Sequence, residues 1–182
     1  MLPRMNVILI GYRGCGKTSV GRKLAHQLWK DFADVDTETR KRFDNDTIAD
    51  IWQAHGESAW RAAEVEVTKE LCAKDELVIG LGGGTLMQPA ARAAVEAADA
   101  KRIYLKCAVK ELARRIDADD ATQGSRPSLT EATGGEARSA SQEIADVLAE
   151  REPVYRAVAD REFDVTHCTV EQTVQHLLRS YL

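Results

Sequence analysis

Val7-Ile8-Leu9-Ile10, followed at once by Gly11-Tyr12-Arg13-Gly14-Cys15-Gly16-Lys17-Thr18, is the stretch on which the fold turns. The first four residues form a continuous apolar run rich in β-branched side chains, as expected of a strand buried on both faces. The next eight fit Gly-x-x-x-x-Gly-Lys-Ser/Thr. From Ser19 to Trp29 the chain predicts a helix, with Leu24 and Leu28 at helical spacing. Strand, glycine-rich turn and helix in that order are the context in which this pattern cradles phosphate. The glycines let the backbone bend its N–H groups inward onto phosphate oxygens, and the helix N-terminus adds partial positive charge. Lys17 would reach the β- and γ-phosphates, and the Thr18 hydroxyl would ligate Mg²⁺. A purely structural glycine turn is the bland alternative, and it explains neither the lysine nor the context.

Outward from this core, strands and helices alternate. Phe32–Val35 predicts a short second strand, and Thr47–Trp52 a short helix behind an Asp46 N-cap. A longer helix follows over Glu57–Ala73. Glu76–Leu81 and Arg102–Leu105 are further apolar strands, Val109–Ile116 is helical, Glu162–Val165 reads as an edge strand, and a closing helix starts near Val170. Such alternation implies a parallel sheet with helices on both faces. One loose stretch, about 117–140, is rich in Asp, Gly, Thr and Ser and is longer than most loops of compact domains. In a kinase it would serve as a lid.

Three further features carry chemistry. Asp34 and Asp36 close the second predicted strand, where the two-residue strand period sends both carboxylates to one side, beyond the carboxyl ends of the strands. One could hold Mg²⁺ through its waters and the other an acceptor hydroxyl; a solvated turn or an N-cap is the alternative. On the Glu57–Ala73 helix, Arg61 lies beside the stripe of Trp60, Glu64, Val67 and Leu71, so it either pairs with Glu64 or waits for a ligand. Arg151 falls on the stripe of Ile144, Val147, Leu148, Tyr155 and Val158, aimed inward or snorkelling to solvent, with Pro153 able to kink that helix. Gly82-Gly83-Gly84 follows a central strand and permits close approach of a ligand.

Composition narrows the class. At 182 residues, 44% hydrophobic and 30% charged, the chain suits one globular domain spanning 1–182. A net charge of −4 argues against nucleic acid as a partner. No apolar run is long enough for a membrane span or signal-peptide core, so neither membrane nor export is expected. The four cysteines (15, 72, 107, 168) are scattered without Cys-x-x-Cys spacing, as for free thiols in a reducing cytoplasm.

Taken in order, the motifs resemble the shikimate kinases. The likeness runs from about Asn6 to Tyr181. It rests on the phosphate loop, Phe32-Ala33-Asp34-Val35-Asp36, Ile48-Ala49-Asp50-Ile51-Trp52, Gly56-Glu57-Ser58-Ala59-Trp60-Arg61-Ala62-Ala63-Glu64, Gly82-Gly83-Gly84, Arg126-Pro127-Ser128-Leu129 and Arg151-Glu152-Pro153-Val154-Tyr155. The resemblance implies a P-loop NTPase-type three-layer α/β/α fold with a five-stranded parallel sheet of order 2-3-1-4-5. It implies Mg-ATP-dependent phosphorylation of the shikimate 3-hydroxyl, a step towards chorismate and the aromatic amino acids, by a cytoplasmic monomer. ATP would be bound by Gly14, Cys15, Gly16, Lys17, Thr18, Ser19, Arg115 and Arg126. Shikimate would be bound by Asp36, Arg61, Gly82, Gly83 and Arg151 in a site built on about 37–64, with both arginines on its carboxylate. Thr18 and Asp34 would hold Mg²⁺, and Lys17, Asp36 and Arg126 would be catalytic. Trp60 stands where the family usually has Phe, Ser128 is polar where leucine is common, and Thr166-His167-Cys168-Thr169 lacks an arginine that some members place near adenine. The nearest alternatives are another small-molecule kinase of the superfamily, a nucleotide-dependent switch and a non-catalytic relative. No Asn-Lys-x-Asp tetrapeptide supports a guanine-specific switch, and the complete set of charged residues argues against a dead enzyme.

Overall fold

The computed structural model describes residues 5–44, 46–118 and 139–180. Five parallel strands, β1 (Asn6–Ile10), β2 (Asp31–Asp34), β3 (Leu77–Gly80), β4 (Ala100–Lys106) and β5 (Arg161–Asp164), form one sheet in the order β2-β3-β1-β4-β5. The helices are α1 (Lys17–Leu28), α2 (Val35–Arg40), α3 (Ile48–His55), α4 (Glu57–Cys72), α5 (Pro89–Ala97), α6 (Val109–Asp117), α7 (Ala140–Val158) and α8 (Val170–Ser180). They flank the sheet in a three-layer α/β/α arrangement. Strand β1 is buried along its whole length because it is paired on both sides, with Val7 opposite Val78 and Ile10 opposite Tyr104. Its one polar residue, Asn6, is fully used: its amide donates to the Lys74 carbonyl at 2.6 Å and accepts from the Leu77 N–H at 2.8 Å, joining β1 to the start of β3.

Two local expectations are corrected, one helix is added, and one open point is answered. The second strand stops at Asp34, and Val35 and Asp36 begin α2. The cause is capping: Asp34 Oδ1 accepts from the Thr37 N–H at 3.0 Å and from the Thr37 hydroxyl at 3.2 Å, so the side chain starts a helix where the strand period would have continued. Asp36 therefore sits in a first helical turn. The N-cap of α3 is Thr47, not Asp46; its Oγ1 accepts from the Asp50 N–H and donates to the Asp50 carboxylate, a reciprocal cap. Helix α5 was not anticipated. It opens with Pro89 at its first turn and is mostly alanine, so its apolar period is faint. Helix α7 runs on through Pro153, which costs one internal hydrogen bond without dividing it.

The hydrophobic residues fall into two groups. The main core takes Val7–Ile10, Val20, Leu24, Ile79, Ile103, Leu148, Tyr155 and Leu177 with their neighbours. A smaller cluster of Ile48, Ile51 and Trp60, with Phe43 and Trp52 packed on it, ties α3 to the start of α4. Among the described residues no helix is long and apolar enough to cross a membrane.

Candidate active site

Where β1 ends, the glycine-rich loop turns into α1. Gly14 and Gly16 take positive φ (79° and 99°), which side-chain-bearing residues rarely adopt. Gly16 is the N-cap of α1 and offers no side-chain bond, so the first N–H groups of the helix remain available to an anion. Lys17 is only 9% exposed, and its ammonium donates to the Gly11 and Tyr12 carbonyls at 2.8 and 2.9 Å. Lys17, expected to reach the phosphates, also laces its own loop. Cys15 turns its thiol into the core, leaving its backbone to the loop.

This loop walls the larger of the two cavities that meet at Asp36, about 1880 Å³ open to solvent. Gly14, Gly16, Lys17, Thr18 and Ser19 line one side, Asp34 and Arg115 others. The Thr18 hydroxyl donates to Asp34 Oδ2 at 3.1 Å, so the two residues expected at a metal are in contact. One hydroxyl and one carboxylate fit Mg²⁺, a hard cation that takes most of its ligands from phosphate oxygens and water. No denser cluster of His, Cys, Asp and Glu able to hold a metal occurs among the described residues. Arg115 is pinned by bonds to Glu111 (2.7 Å) and to the Val165 and Thr166 carbonyls (3.0 and 3.3 Å). Hydrogen bonds from Arg114 and Arg115 pull the Glu111 pKa down to about 2, so that carboxylate stays ionised. Arg126 and most of the 117–140 segment lie outside the described residues.

The smaller cavity, about 540 Å³, adjoins the first. Trp52, Trp60, Arg61 and Glu64 line it from α3 and α4, Tyr12, Arg13 and Gly83 from the loops after β1 and β3, and Arg151 from α7. Both readings of Arg61 meet here. It bonds Glu64 at 2.9 Å and Glu57 at 3.1 Å, yet it lines the cavity with its guanidinium 5.5 Å from the Trp52 ring centroid. Of its five N–H groups these three bonds use three, leaving two. Glu64 is 1% exposed and also accepts from the Thr85 hydroxyl at 2.7 Å. Burial pushes its pKa up, Arg61 and Thr85 pull against that, and the net direction is up. Arg151 points inward, donating to the Gly83 carbonyl at 3.0 Å beside the Tyr155 hydroxyl, which donates to the same oxygen.

The triple glycine has a specific steric cause. A Cβ on Gly82 would lie 2.3 Å from Asp36 Oδ1, and one on Gly84 2.9 Å from an Arg61 nitrogen. On Gly83 it would stand 3.6 Å from an Arg151 nitrogen. Each glycine thus faces one of the three charged residues expected to bind the acceptor. Sequence reasoning missed Tyr12, Arg13, Trp52 and Thr85. Tyr12 and Arg13 were inside the quoted motif, but at positions that the pattern leaves unspecified.

The comparisons with known proteins agree on one family. The profile described as "Shikimate kinase" matches residues 13–181. The shikimate kinase of Thioalkalivibrio sulfidiphilus is 34% identical over 100% of this chain and 89% of its own length, and that of Methylococcus capsulatus 33% identical over 100% and 94%. Among solved structures, shikimate kinase from Acinetobacter baumannii in complex with shikimate superposes with a TM-score of 0.84 at 29% identity, covering 98% of this chain and 93% of that one. Shikimate kinase from Aquifex aeolicus superposes at 0.75 with 26% identity, covering 97% and 95%.

Proposed function

Since the chain belongs to the shikimate kinase family of ATP-using enzymes, we propose that its larger cavity takes Mg-ATP, its smaller one shikimate, and that the phosphoryl group passes between them to the 3-hydroxyl. The observation that carries this assignment is that the cavities share a wall made of Arg13, Asp36 and Gly83. Asp36 therefore stands where an acceptor oxygen would meet a terminal phosphate. Its carboxylate holds the attacking hydroxyl in line and takes the proton late, since phosphoryl transfer needs positioning and charge neutralisation more than covalent help. Loop N–H groups and Lys17 hold the phosphates, and Arg115 and the backbone of Cys15 and Ser19 serve the nucleotide. Arg126 would neutralise phosphate charge by its place in the family motif. When bound, Mg²⁺ supplies further neutralisation, held by Thr18 and Asp34. Arg61, with its two uncommitted N–H groups, and Arg151 clamp the shikimate carboxylate, for which a guanidinium fork is well shaped. Gly83 and Gly84 border the ring, while Gly82, expected there too, lines neither cavity and leaves room for Asp36. This reading makes the protein a cytoplasmic monomer with small-molecule substrates and without nucleic-acid or membrane partners.

A coupled ADP-release assay with shikimate, gluconate, nucleoside monophosphates or no acceptor tests the substrate. ADP release should require both shikimate and Mg²⁺ and cease with a chelator; equal release without acceptor would sink the reading. For the clamp, Arg151→Ala and Arg61→Lys should each raise KM for shikimate roughly ten- to a hundredfold, the loss of a hydrogen bond to a charged group. Mg-ATP affinity measured alone should hold. A shikimate ester should bind wild type poorly and be far less sensitive to either substitution. Equal losses for acid and ester would make both arginines structural.

A further inference from the structure

Of the three residues common to both cavities, Asp36 is an acid, Gly83 has no side chain, and Arg13 is a cation. We propose that Arg13 is a further catalytic residue, whose guanidinium holds the phosphoryl group during its passage from nucleotide to acceptor. The proposal rests on the assignment of the two cavities made above. Arg61 and Arg151 line the smaller cavity and not the larger, and Lys17 and Arg115 the larger and not the smaller. Arg13 alone among the described cations borders both, and the transferred phosphoryl group is the one part of either substrate that occupies both in turn.

Its hydrogen-bonding state points the same way. Arg61 has Glu57 and Glu64, Arg115 has Glu111 and Arg151 has the Gly83 carbonyl, whereas the Arg13 guanidinium has the neighbouring Tyr12 hydroxyl. Arg13 Nε is buried with no hydrogen-bond partner. Only two other buried side-chain atoms among the described residues share that condition, Tyr12 Oη and Trp52 Nε1. All three belong to residues lining the smaller cavity. A buried donor without an acceptor is costly. The polar shortfall of the described structure is thus collected at one place, where an oxygen-rich ligand would relieve it. A phosphoryl group in transfer spreads negative charge over three equatorial oxygens, which suits a planar fork of N–H donors.

The position in the chain also suits the task. Arg13 lies inside the phosphate loop, and its backbone nitrogen is 3.6 Å from where a Cβ of Gly83 would stand. The loop therefore runs against the glycine turn after β3, which places the Arg13 backbone between the two substrates. A bland role, in which Arg13 only accompanies the neighbouring Tyr12 hydroxyl, predicts no dependence on the phosphate.

The test compares Arg13→Met, which keeps the length and removes the charge, with Arg13→Lys, which keeps the charge and loses the fork. Steady-state rates and calorimetric affinities for shikimate alone, Mg-ATP alone and shikimate 3-phosphate alone are measured for each. Arg13→Met should lower kcat roughly ten- to a hundredfold, the loss of a charged hydrogen bond. It should weaken shikimate 3-phosphate about tenfold and change shikimate or Mg-ATP binding less than about threefold. Arg13→Lys should recover part of both losses, and it carries the test if the Met variant does not fold. Unchanged kcat and product affinity would overturn the proposal, as would equal losses for shikimate and its phosphate, which would make Arg13 a reader of the acceptor ring. If Arg61→Lys and Arg151→Ala leave shikimate affinity intact, it is the cavity assignment that fails, whatever Arg13 does to the phosphate.

Discussion

Gly82, Gly83 and Gly84 show how single residues shape this site, and they separate steric need from backbone need. None of the three has a positive φ, so an alanine there is not strained by conformation. At Gly82 the added carbon would meet Asp36 at 2.3 Å, Glu64 at 2.8 Å and Thr85 at 2.9 Å. Glu64 is buried and held by Arg61 and Thr85, so it cannot move aside freely. Gly82→Ala should therefore lose about 1–3 kcal/mol of stability, the usual cost of overpacking, and lose activity through Asp36. Gly83→Ala meets nothing closer than 3.6 Å and should be far milder. Urea unfolding and initial rates check this, and equal effects at both positions would refute the steric account. Glu64 gives a pH prediction. Its native pKa is raised above the ordinary 4.5, so the native state keeps this proton to higher pH than the unfolded chain. Its contribution to stability is then full below about 4.5 and declines as pH rises through the native value. Glu64→Gln should remove that decline, so the difference between variant and wild type should shift in the variant's favour as pH rises from 4.5. A pH-independent difference would contradict the raised pKa.

Elements translate such contacts into position, and caps decide where the elements begin. Thr47 starts α3, which carries Ile48 and Trp52 to the smaller cavity. Thr47→Ala should cost about 1 kcal/mol and raise KM for shikimate while leaving Mg-ATP affinity unchanged; a rise in both would show that α3 supports the whole site. The same elements explain what the sequence could disclose. Strand β1, the loop and α1 were legible because an unbroken apolar run precedes a strict pattern. Arg61, Glu64 and Arg151 were legible as charges on or beside apolar stripes. Helix α2 was not, because its six residues carry no apolar period and Asp34 suits a strand end as well as a cap. The α3 cap was ambiguous because Asp46 and Thr47 are both good capping residues side by side. Arg13, Tyr12 and Trp52 were invisible for a different reason. Their significance comes from meeting in one cavity, and no local period links positions 12, 13 and 52.

At the scale of the molecule, the smaller cavity lies between two hydrophobic units of unequal size. Arg13, Gly83 and Arg151 are anchored to elements of the main core, whereas Ile48, Trp52 and Trp60 belong to the small cluster of α3 and α4. A cluster of three buried residues with two partly buried neighbours has little apolar area to hold it shut, so its local opening should cost less than global unfolding. In the free protein, amides of α3 should exchange with deuterium faster than those of β1, which is paired on both sides. Shikimate bound across the cavity would tie the small unit to the large one. At a hundredfold excess over Kd it adds about 2.7 kcal/mol to any opening that breaks its site. Exchange in α3 should then slow by up to roughly a hundredfold, with β1 unchanged wherever its exchange proceeds by smaller openings that leave the site intact. Mg-ATP alone should instead protect the loop and first turn of α1, around 14–19, and leave α3 close to its free rate. Protection of α3 by Mg-ATP alone, or of the phosphate loop alone by shikimate, would show that the two cavities have been given to the wrong substrates, because each ligand can slow only those openings that destroy its own contacts.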